Sequence, residues 1–307
     1  MRVLLTGSTG FVGQNVLPVL KESYDVRTLR SAPDVDLRRQ ADVKEVLSRI
    51  RPDVIVHLAG KVGGIGANRE NPGRFMYDNL IMGTNLIHEA MTHDVKKFIM
   101  LGTVCAYPKF TPVPFKEEEM WNGYPEETNA PYAVAKKTLM LMLESYHKQY
   151  GLNGVNLVPV NMYGPHDHFN LTSSHVIPAL ILKVQNALDK QDRSITLWGT
   201  GSASREFLFA RDCAEAILSA IESNPGPEPI NIGTGVETPI STLVGTICQY
   251  MGFDGEIIYD ATKPDGQPRR CLDTTRAKDR LSFNARTKLE DGLRETIGWF
   301  QANKDTK

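Results

Sequence analysis

A tyrosine and a lysine four residues apart form the first pair in this chain that could carry chemistry. Tyr132 and Lys136 stand in a segment where Pro131 can open a helix, because its missing N–H costs nothing in the first turn. Side chains four apart lie one above the other on a helix. An ammonium beside a phenol favours the phenolate, so we expect the pKa of Tyr132 to fall below its reference of about 10. Such a group could exchange a proton with an alkoxide.

A hydroxyl and a thiol follow an apolar run of strand length, residues 97–102. Thr103 and Cys105 leave its carboxyl end, and ligands bind at the carboxyl ends of strands in open α/β sheets. Two residues apart in an extended segment, both side chains project to the same side. The hydroxyl could donate a hydrogen bond, and the thiol could act as a base once it is a thiolate.

The elements that must position these groups begin with a glycine motif. An apolar strand pattern, residues 2–6, runs directly into G-x-x-G-x-x-G and then into an amphipathic segment. The first glycine permits a tight turn, the second lets backbone approach a pyrophosphate, and the third lets helix and strand pack closely. The spacing is one residue longer than the G-x-G-x-x-G fingerprint. The predicted dinucleotide-binding residues are Gly7, Ser8, Thr9, Gly10, Phe11, Val12 and Gly13.

The end of the second predicted strand, residues 25–29, bears on the choice of cofactor. An arginine there can pair with the 2′-phosphate of NADP, whereas an acidic residue would accept hydrogen bonds from the ribose of NAD. Arg30, helped by Arg27, favours NADP, with a solvated surface arginine as the alternative. A third strand, residues 53–60, ends in Leu58, Ala59 and Gly60, where backbone could approach the cofactor.

Composition excludes several classes of protein. The chain has 307 residues, 41% hydrophobic and 23% charged, with a formal net charge of −1, which argues against a nucleic-acid or membrane-surface binder. We expect no signal peptide and no transmembrane span. Cys105, Cys213, Cys248 and Cys271 lack metal-ligand spacing, so we expect no metal, no disulfide framework and a cytoplasmic location.

The order of the elements predicts an α/β fold: a doubly wound parallel (Rossmann) sheet with a smaller C-terminal α/β substrate lobe. We expect the dinucleotide-binding domain over residues 1–160, with residues 206–232 returning to it. Residues 161–307 then form mainly the substrate lobe. Residues 109–127, rich in Pro and Glu, are long enough to be a functional loop.

The glycine loop, the Thr103 position and Tyr-x-x-x-Lys together resemble the extended short-chain dehydrogenase/reductase superfamily. Within it, further segments resemble the GDP-L-fucose synthase family along nearly the whole chain. These segments are Lys61–Ile65, Cys105–Lys109, Asn129–Ala133, Tyr163–Asp167, Ser174–Leu180, Trp198–Gly201, Arg205–Leu208 and Lys263–Gly266.

The resemblance implies an enzyme that takes GDP-4-keto-6-deoxy-D-mannose, epimerises it at C3 and C5, and reduces the C4 ketone with NADPH. Protons next to a ketone are acidified, but their removal and redelivery on opposite ring faces need two groups, which the resemblance assigns to Cys105 and His175. Tyr132 would then protonate the alkoxide, with Lys136 on the nicotinamide ribose and Thr103 on the keto oxygen.

The resemblance also implies further contacts. Those with the cofactor are Leu101, Lys136, Pro159, Asn161, Met162 and His175, and those with the nucleotide sugar are Lys183, Trp198, Arg205, Asp265 and Arg270. Arg205 and Arg270 suit a pyrophosphate, because guanidinium binds phosphate bidentately. Members of the family pair through helices near residues 74–93 and 131–150, so the resemblance implies a homodimer.

Three departures from the family pattern leave alternatives open. Thr103 replaces a serine, Ser8–Thr9 replaces a basic pair in the glycine loop, and Lys183 replaces an arginine, which loses bidentate geometry. A sibling reductase or epimerase acting on another GDP-4-keto-deoxy sugar, including GDP-heptose derivatives, fits as well. A non-catalytic dinucleotide sensor is the rival from another class, although the chain keeps the proton-transfer residues.

Overall fold

A parallel six-stranded sheet forms the centre of the computed structural model, which describes residues 1–29, 35–171, 173–263 and 267–304. Its strand order is β2-β1-β3-β4-β5-β9. The bounds are β1 Arg2–Thr6, β2 Asp25–Thr28, β3 Val54–His57, β4 Lys97–Leu101, β5 Gly154–Pro159 and β9 Ile230–Ile232. Central strands β3, β4 and β5 are buried at every position, as expected for strands covered on both faces. The predicted doubly wound fold is confirmed.

Helices cover both faces of this sheet. They are α1 Phe11–Lys21, α2 Gln40–Ile50, α4 Pro72–Thr92, α5 Ala130–Tyr150 and α7 Ala210–Glu222, while the short helix α3 Ile65–Glu70 packs against α4. α4 and α5 pack along each other, and α7 packs against α1 and the sheet. Gly83 permits the close approach of α4 to α5, because a Cβ there would lie 2.4 Å from Cδ1 of Leu139.

A second core lies in the C-terminal half. Two small sheets contribute to it, with orders β10-β8-β6 and β11-β7. The strands are β6 Asn161–Tyr163, β7 Ser194–Trp198, β8 Ser204–Phe209, β10 Glu237–Pro239 and β11 Glu256–Asp260. The remaining helices are α6 Val176–Lys190, α8 Ile240–Met251, α9 Thr275–Leu281 and α10 Leu289–Asn303. The apolar faces of α6, α8 and α10 meet in this core, whereas Leu272, Ala277 and Leu281 join the core of the first sheet.

Two strands bridge the two regions. β5 ends at Pro159 in the large sheet, and β6 begins at Asn161 in the small one. The 3-10 helix Val104–Ala106 directly follows β4, so Thr103 and Cys105 lie at the carboxyl edge of the large sheet, where the two regions meet.

Candidate active site

The glycine motif forms a narrow cradle between β1 and α1. Gly7 has φ +71°, and a Cβ there would lie 2.6 Å from the backbone nitrogen of Ala59. At Gly13 a Cβ would lie 2.1 Å from the carbonyl oxygen of Gly7, so the helix touches the loop only because this residue has no side chain. No side chain caps the start of α1 at Gly10, which leaves its first N–H groups for a phosphate. Ser8, Thr9, Phe11 and Val12 complete the cradle.

A buried hydroxyl and imidazole hold the end of β3 against this cradle. The Thr6 hydroxyl is hydrogen-bonded to Nδ1 of His57 (2.9 Å) and accepts from the backbone N–H of Ala59 (3.2 Å). Burial, together with the positive charge of Lys136, lowers the pKa of His57 to about 3, so its ring is neutral. This arrangement fixes Leu58 and Ala59 above Gly7.

Asn79 on α4 fixes the next residues, and the sequence reasoning missed it. Its Oδ1 accepts from the N–H of Lys61 (3.1 Å) and its Nδ2 donates to the carbonyl of Lys61 (2.9 Å). A Cβ at Gly60 would lie 2.8 Å from that Oδ1. An asparagine within a predicted helix gave no sign of this role.

Tyr132 and Lys136 lie at the carboxyl end of β4, as their spacing predicted, but the predicted pKa of the phenol is wrong. Burial raises the pKa of Tyr132 above its ordinary value, proximity to Cys105 adds to the rise, and a hydrogen bond with the Thr103 hydroxyl opposes it. The Lys136 ammonium donates to the carbonyl of Leu101 (3.0 Å). Burial lowers the pKa of Lys136 to about 8. Lost hydration therefore outweighs any help to the phenolate, and Tyr132 remains a protonated acid.

Cys105 lies beside Tyr132 and contacts a residue from the other end of the chain. Nη1 of Arg270 lies 3.9 Å from its Sγ, and the Thr103 hydroxyl accepts from its backbone N–H (3.2 Å). Oε1 of Gln267 accepts from the same guanidinium (2.9 Å). The prediction that Arg270 binds the pyrophosphate stays a prediction; in the structure its guanidinium lies beside the thiol.

His175 approaches from the substrate lobe, where it is the residue before α6. The residue as a whole is exposed at the surface, yet neighbouring protein atoms remove much of the water around its imidazole. This desolvation, followed by the charges of Arg270 and His168, lowers the pKa of His175 and favours the neutral imidazole. Arg270 therefore lies close to both Cys105 and His175, the two groups predicted to move protons.

Glu206 aligns the segment that carries Arg270, and sequence reasoning missed this residue as well. Its fully buried carboxylate accepts from the N–H groups of Leu272 (2.7 Å) and Gly235 (2.8 Å), and its backbone N–H donates to the carbonyl of Arg270 (3.1 Å). Burial raises the pKa of Glu206, and the backbone donors oppose that rise. An acidic residue within an apolar strand could have signalled such partners.

Three of the predicted nucleotide-sugar residues, Lys183, Trp198 and Arg205, lie on or beside the small sheets. Nζ of Lys183 donates to the carbonyl of Thr196 on β7 (2.6 Å), and Trp198 ends the same strand with 72% of its surface exposed. Arg205 lies on β8, between two residues whose backbone pairs with the Pro268–Arg270 segment. Arg205 and Arg270 are therefore on neighbouring extended segments.

The remaining predicted cofactor contacts lie where the two regions join. Pro159 ends β5, and Asn161 and Met162 open β6. Nδ2 of Asn161 donates to the carbonyl of Glu206 (3.0 Å). Nδ2 of Asn15 on α1 donates to the carbonyl of Pro165 (2.8 Å), which ties the helix of the glycine cradle to the loop after β6.

Two predicted site residues, Arg30 and Asp265, lie outside the described residues. Within the described part of the chain, no cluster of three or more His, Cys, Asp or Glu side chains could hold a metal ion. Among those same residues, no helix is long and apolar enough to cross a membrane.

With this geometry established, comparison with known proteins gives the family. Residues 3–233 match the model of the NAD dependent epimerase/dehydratase family. The chain belongs to this family. Its epimerase/dehydratase match covers the glycine cradle, Thr103, Cys105, Tyr132, Lys136 and His175, but ends before Arg270.

Two curated relatives and one solved structure match over nearly their full lengths. GDP-L-fucose synthase of Escherichia coli K12 is 38% identical over 99% of this chain and 98% of its own. GDP-L-colitose synthase of Yersinia pseudotuberculosis is 34% identical over 99% of each chain. A GDP-L-fucose synthetase from Naegleria fowleri bound to NADP has a TM-score of 0.88 at 28% identity, over 99% of this chain and 95% of that one. The predicted resemblance to GDP-L-fucose synthase is confirmed.

Proposed function

We propose that this protein is an NADPH-dependent epimerase/reductase that converts GDP-4-keto-6-deoxy-D-mannose to GDP-L-fucose. The observation that carries the proposal is the convergence of Tyr132, Thr103 and Cys105 at the end of β4 with Arg270 and His175 of the other region. A phenol, a thiol and an imidazole around one cleft supply the acid and bases that two epimerisations and one reduction require.

The residues present fit a dinucleotide. The Gly7–Gly13 cradle is closed to any Cβ at both ends, and the uncapped start of α1 suits a pyrophosphate. Lys136, buried with a pKa of about 8, keeps its charge at neutral pH and would hold the nicotinamide ribose. NADPH, when bound, supplies the hydride that reduces the ketone.

The chain's own residues manage the protons. Cys105 and His175 take a proton from a carbon beside the ketone and return one to its opposite face, so no proton is gained or lost. The Arg270 guanidinium lies 3.9 Å from the Cys105 sulfur and is therefore part of the site of this step. Tyr132, kept protonated by burial, gives its proton to the oxygen that becomes the alcohol at C4, while Thr103 donates a hydrogen bond to that oxygen.

Incubation with GDP-4-keto-6-deoxy-D-mannose and NADPH in deuterated water tests the proposal. We expect one deuterium at C3 and one at C5 of the product. Cys105→Ser should lower incorporation by about 10²-fold or more. Cys248→Ala, whose thiol lies in the second core, is the control and should keep wild-type incorporation. A product without deuterium at either carbon would refute the epimerase.

The reductase half has its own test. Tyr132→Phe removes the proton donor and should slow NADPH consumption by about 10²–10⁴-fold, with NADPH affinity unchanged. Unchanged consumption would exclude Tyr132 as the acid and reopen the possibility of a non-catalytic dinucleotide sensor.

A sibling activity on another GDP-4-keto-deoxy sugar is the second candidate. The 34% identity to a GDP-L-colitose synthase over 99% of each chain favours it. Lys183 favours it as well, because it replaces the arginine of the family pattern and its Nζ donates to the carbonyl of Thr196. Comparing kcat/KM across a panel of GDP-4-keto-deoxy hexoses and heptoses identifies the substrate by the highest value.

We propose a homodimer formed through α4 and α5. Tyr77 and Ile81 lie one turn apart on the outer side of α4, and Val134 and Leu141 lie two turns apart on that of α5. These uncharged side chains leave an apolar stripe open along a helix pair. Sedimentation velocity should give twice the 34.2 kDa chain mass, and Leu141→Arg should give the monomer.

The four unpaired cysteines support a cytoplasmic location.

A further inference from the structure

The glycine-rich loop between β3 and α3 contacts the residues just before His175. The backbone N–H of Gly64 donates to the carbonyl of Ser173 (2.9 Å), two residues before His175. Gly64 belongs to the dinucleotide-binding region, and Ser173 belongs to the lobe that brings His175 to the cleft. This hydrogen bond therefore crosses between the two regions beside a group assigned to proton transfer.

Gly64 is required here because there is no room for a side chain, and not because of its backbone angles. Its φ of −65° and ψ of 179° are open to any residue. A Cβ, however, would lie 2.9 Å from the carbonyl oxygen of Ser174 and 3.1 Å from that of Ser173. Both are backbone atoms, so no side-chain rotation could relieve the clash.

Asn68 holds the loop from the other side. Its Nδ2 donates to the carbonyls of Gly63 (2.8 Å) and Gly64 (3.1 Å), and the residue is 4% exposed. At Gly63 a Cβ would lie 2.8 Å from Cβ of Ala67, so the loop folds tightly onto α3. One amide thus fixes the direction in which the Gly64 N–H points.

The residues on the far side of the contact are bonded among themselves. Oγ of Ser173 lies 3.0 Å from Nε2 of His168, and its N–H donates to Oδ1 of Asn170 (3.1 Å). The Ser174 hydroxyl donates to the carbonyl of His168. Displacement of Ser173 and Ser174 would therefore also move the chain that leads into α6, where His175 lies.

We propose that Gly64 and Asn68 are positioning residues that hold His175 in register for epimerisation. This inference rests on the proposed function of His175. Neither residue touches a reacting atom; they act through the Gly64–Ser173 hydrogen bond. Their loss should impair proton exchange at C3 and C5 more than the reduction, which depends on Tyr132 and Lys136 at the end of β4.

Gly64→Ala tests the proposal, with Gly73→Ala as the matched control. The added methyl at Gly73 meets nothing within 4 Å, whereas that at Gly64 must move backbone. Two quantities are measured on one substrate: deuterium gained at C3 and C5, and NADPH consumed. We expect Gly64→Ala to lower deuterium per NADPH about tenfold or more, because misplacement by an ångström costs about 10². Gly73→Ala should keep both the wild-type ratio and the wild-type unfolding midpoint.

Asn68→Ala reaches the same contact without adding bulk and should lower the same ratio. A wild-type ratio in Gly64→Ala and Asn68→Ala would overturn the proposal, as would an equal fall in exchange and reduction. Wild-type protein without any exchange would instead overturn the proposed function, so the two failures are distinct. If Gly64→Ala fails to fold, Asn68→Ala alone decides the outcome.

Discussion

The glycine cradle that suits a cofactor is built mainly from neighbours in sequence, whereas the half of the site that faces the sugar is assembled from remote residues. Gly7 and Gly13 shape the first by direct contact within one turn and one helix start. The second depends on Arg270 and Cys105, which are 165 residues apart and meet at 3.9 Å.

The two halves are also held by different forces. The glycine cradle depends on the absence of side chains, so a single methyl group breaks it. The sugar-facing half depends on buried polar atoms such as the Glu206 carboxylate, whose loss would leave backbone N–H groups of Leu272 and Gly235 unpaired. Substitutions in the first half should affect cofactor affinity, and those in the second should affect substrate steps.

Among the substitutions that compare the two halves, Gly13→Ala should have the largest effect. Its Cβ would lie 2.1 Å from the Gly7 oxygen, so α1 must move off the loop. We expect NADPH affinity, measured by fluorescence titration, to weaken about 10²-fold, in line with the cost of an ångström of misplacement. Gly245→Ala in α8, where a Cβ meets nothing within 4 Å, is the control. Wild-type affinity in Gly13→Ala would show that the cradle tolerates side chains.

A smaller and different effect is expected from Glu206→Gln. The amide must present a donor to a backbone N–H, which costs about 1–3 kcal/mol. The segment with Arg270 should shift, lowering kcat/KM for the nucleotide sugar about tenfold. NADPH affinity should stay unchanged.

Glu215→Gln, an exposed residue on α7, is the control for this substitution. Equal losses of sugar turnover and NADPH affinity would contradict the separation of the two halves.

The smallest effect is a dependence of stability on pH. The pKa of His57 is about 3 when folded against a reference of 6.5, so between these values the unfolded chain binds a proton that the folded one does not. Stability from this residue is therefore present above pH 6.5 and is lost on acidification. By about pH 5 the loss should reach about 2 kcal/mol in urea unfolding.

His57→Gln should lose this slope, and His147→Gln, at the outer end of α5, should keep it. Glu206 works in the opposite direction. Burial raises its pKa, so the stability it contributes is present below its unfolded value of 4.5 and lost as pH rises through the folded value. Identical slopes in wild type and His57→Gln would mean that His57 is not the source.

Sequence alone predicted the fold class and the cradle because both follow from local rules. An apolar strand ending in spaced glycines specifies a turn and a helix start. Tyr132 and Lys136 were located by helix periodicity, and Thr103 by the end of β4. The roles assigned to these side chains stay predictions that the experiments above test.

The remainder required the tertiary structure. The pKa of Tyr132 moves opposite to the prediction because desolvation depends on what covers the phenol, which spacing does not reveal. The contact of Arg270 with Cys105 follows from strand pairing around Glu206. Arg205–Leu208 was noted for its arginine, although the glutamate beside it organises the neighbouring segment.

The Asn15–Pro165 hydrogen bond (2.8 Å) has a consequence for motion. Together with Gly64 and Ser173, it anchors the stretch that leads to His175 at two separate points on the dinucleotide-binding region. If the two regions separate to release product, His175 should stay with the dinucleotide-binding region and should not move away with the sugar nucleotide. The residues proposed to transfer protons, Cys105, Tyr132 and His175, would then stay together between turnovers.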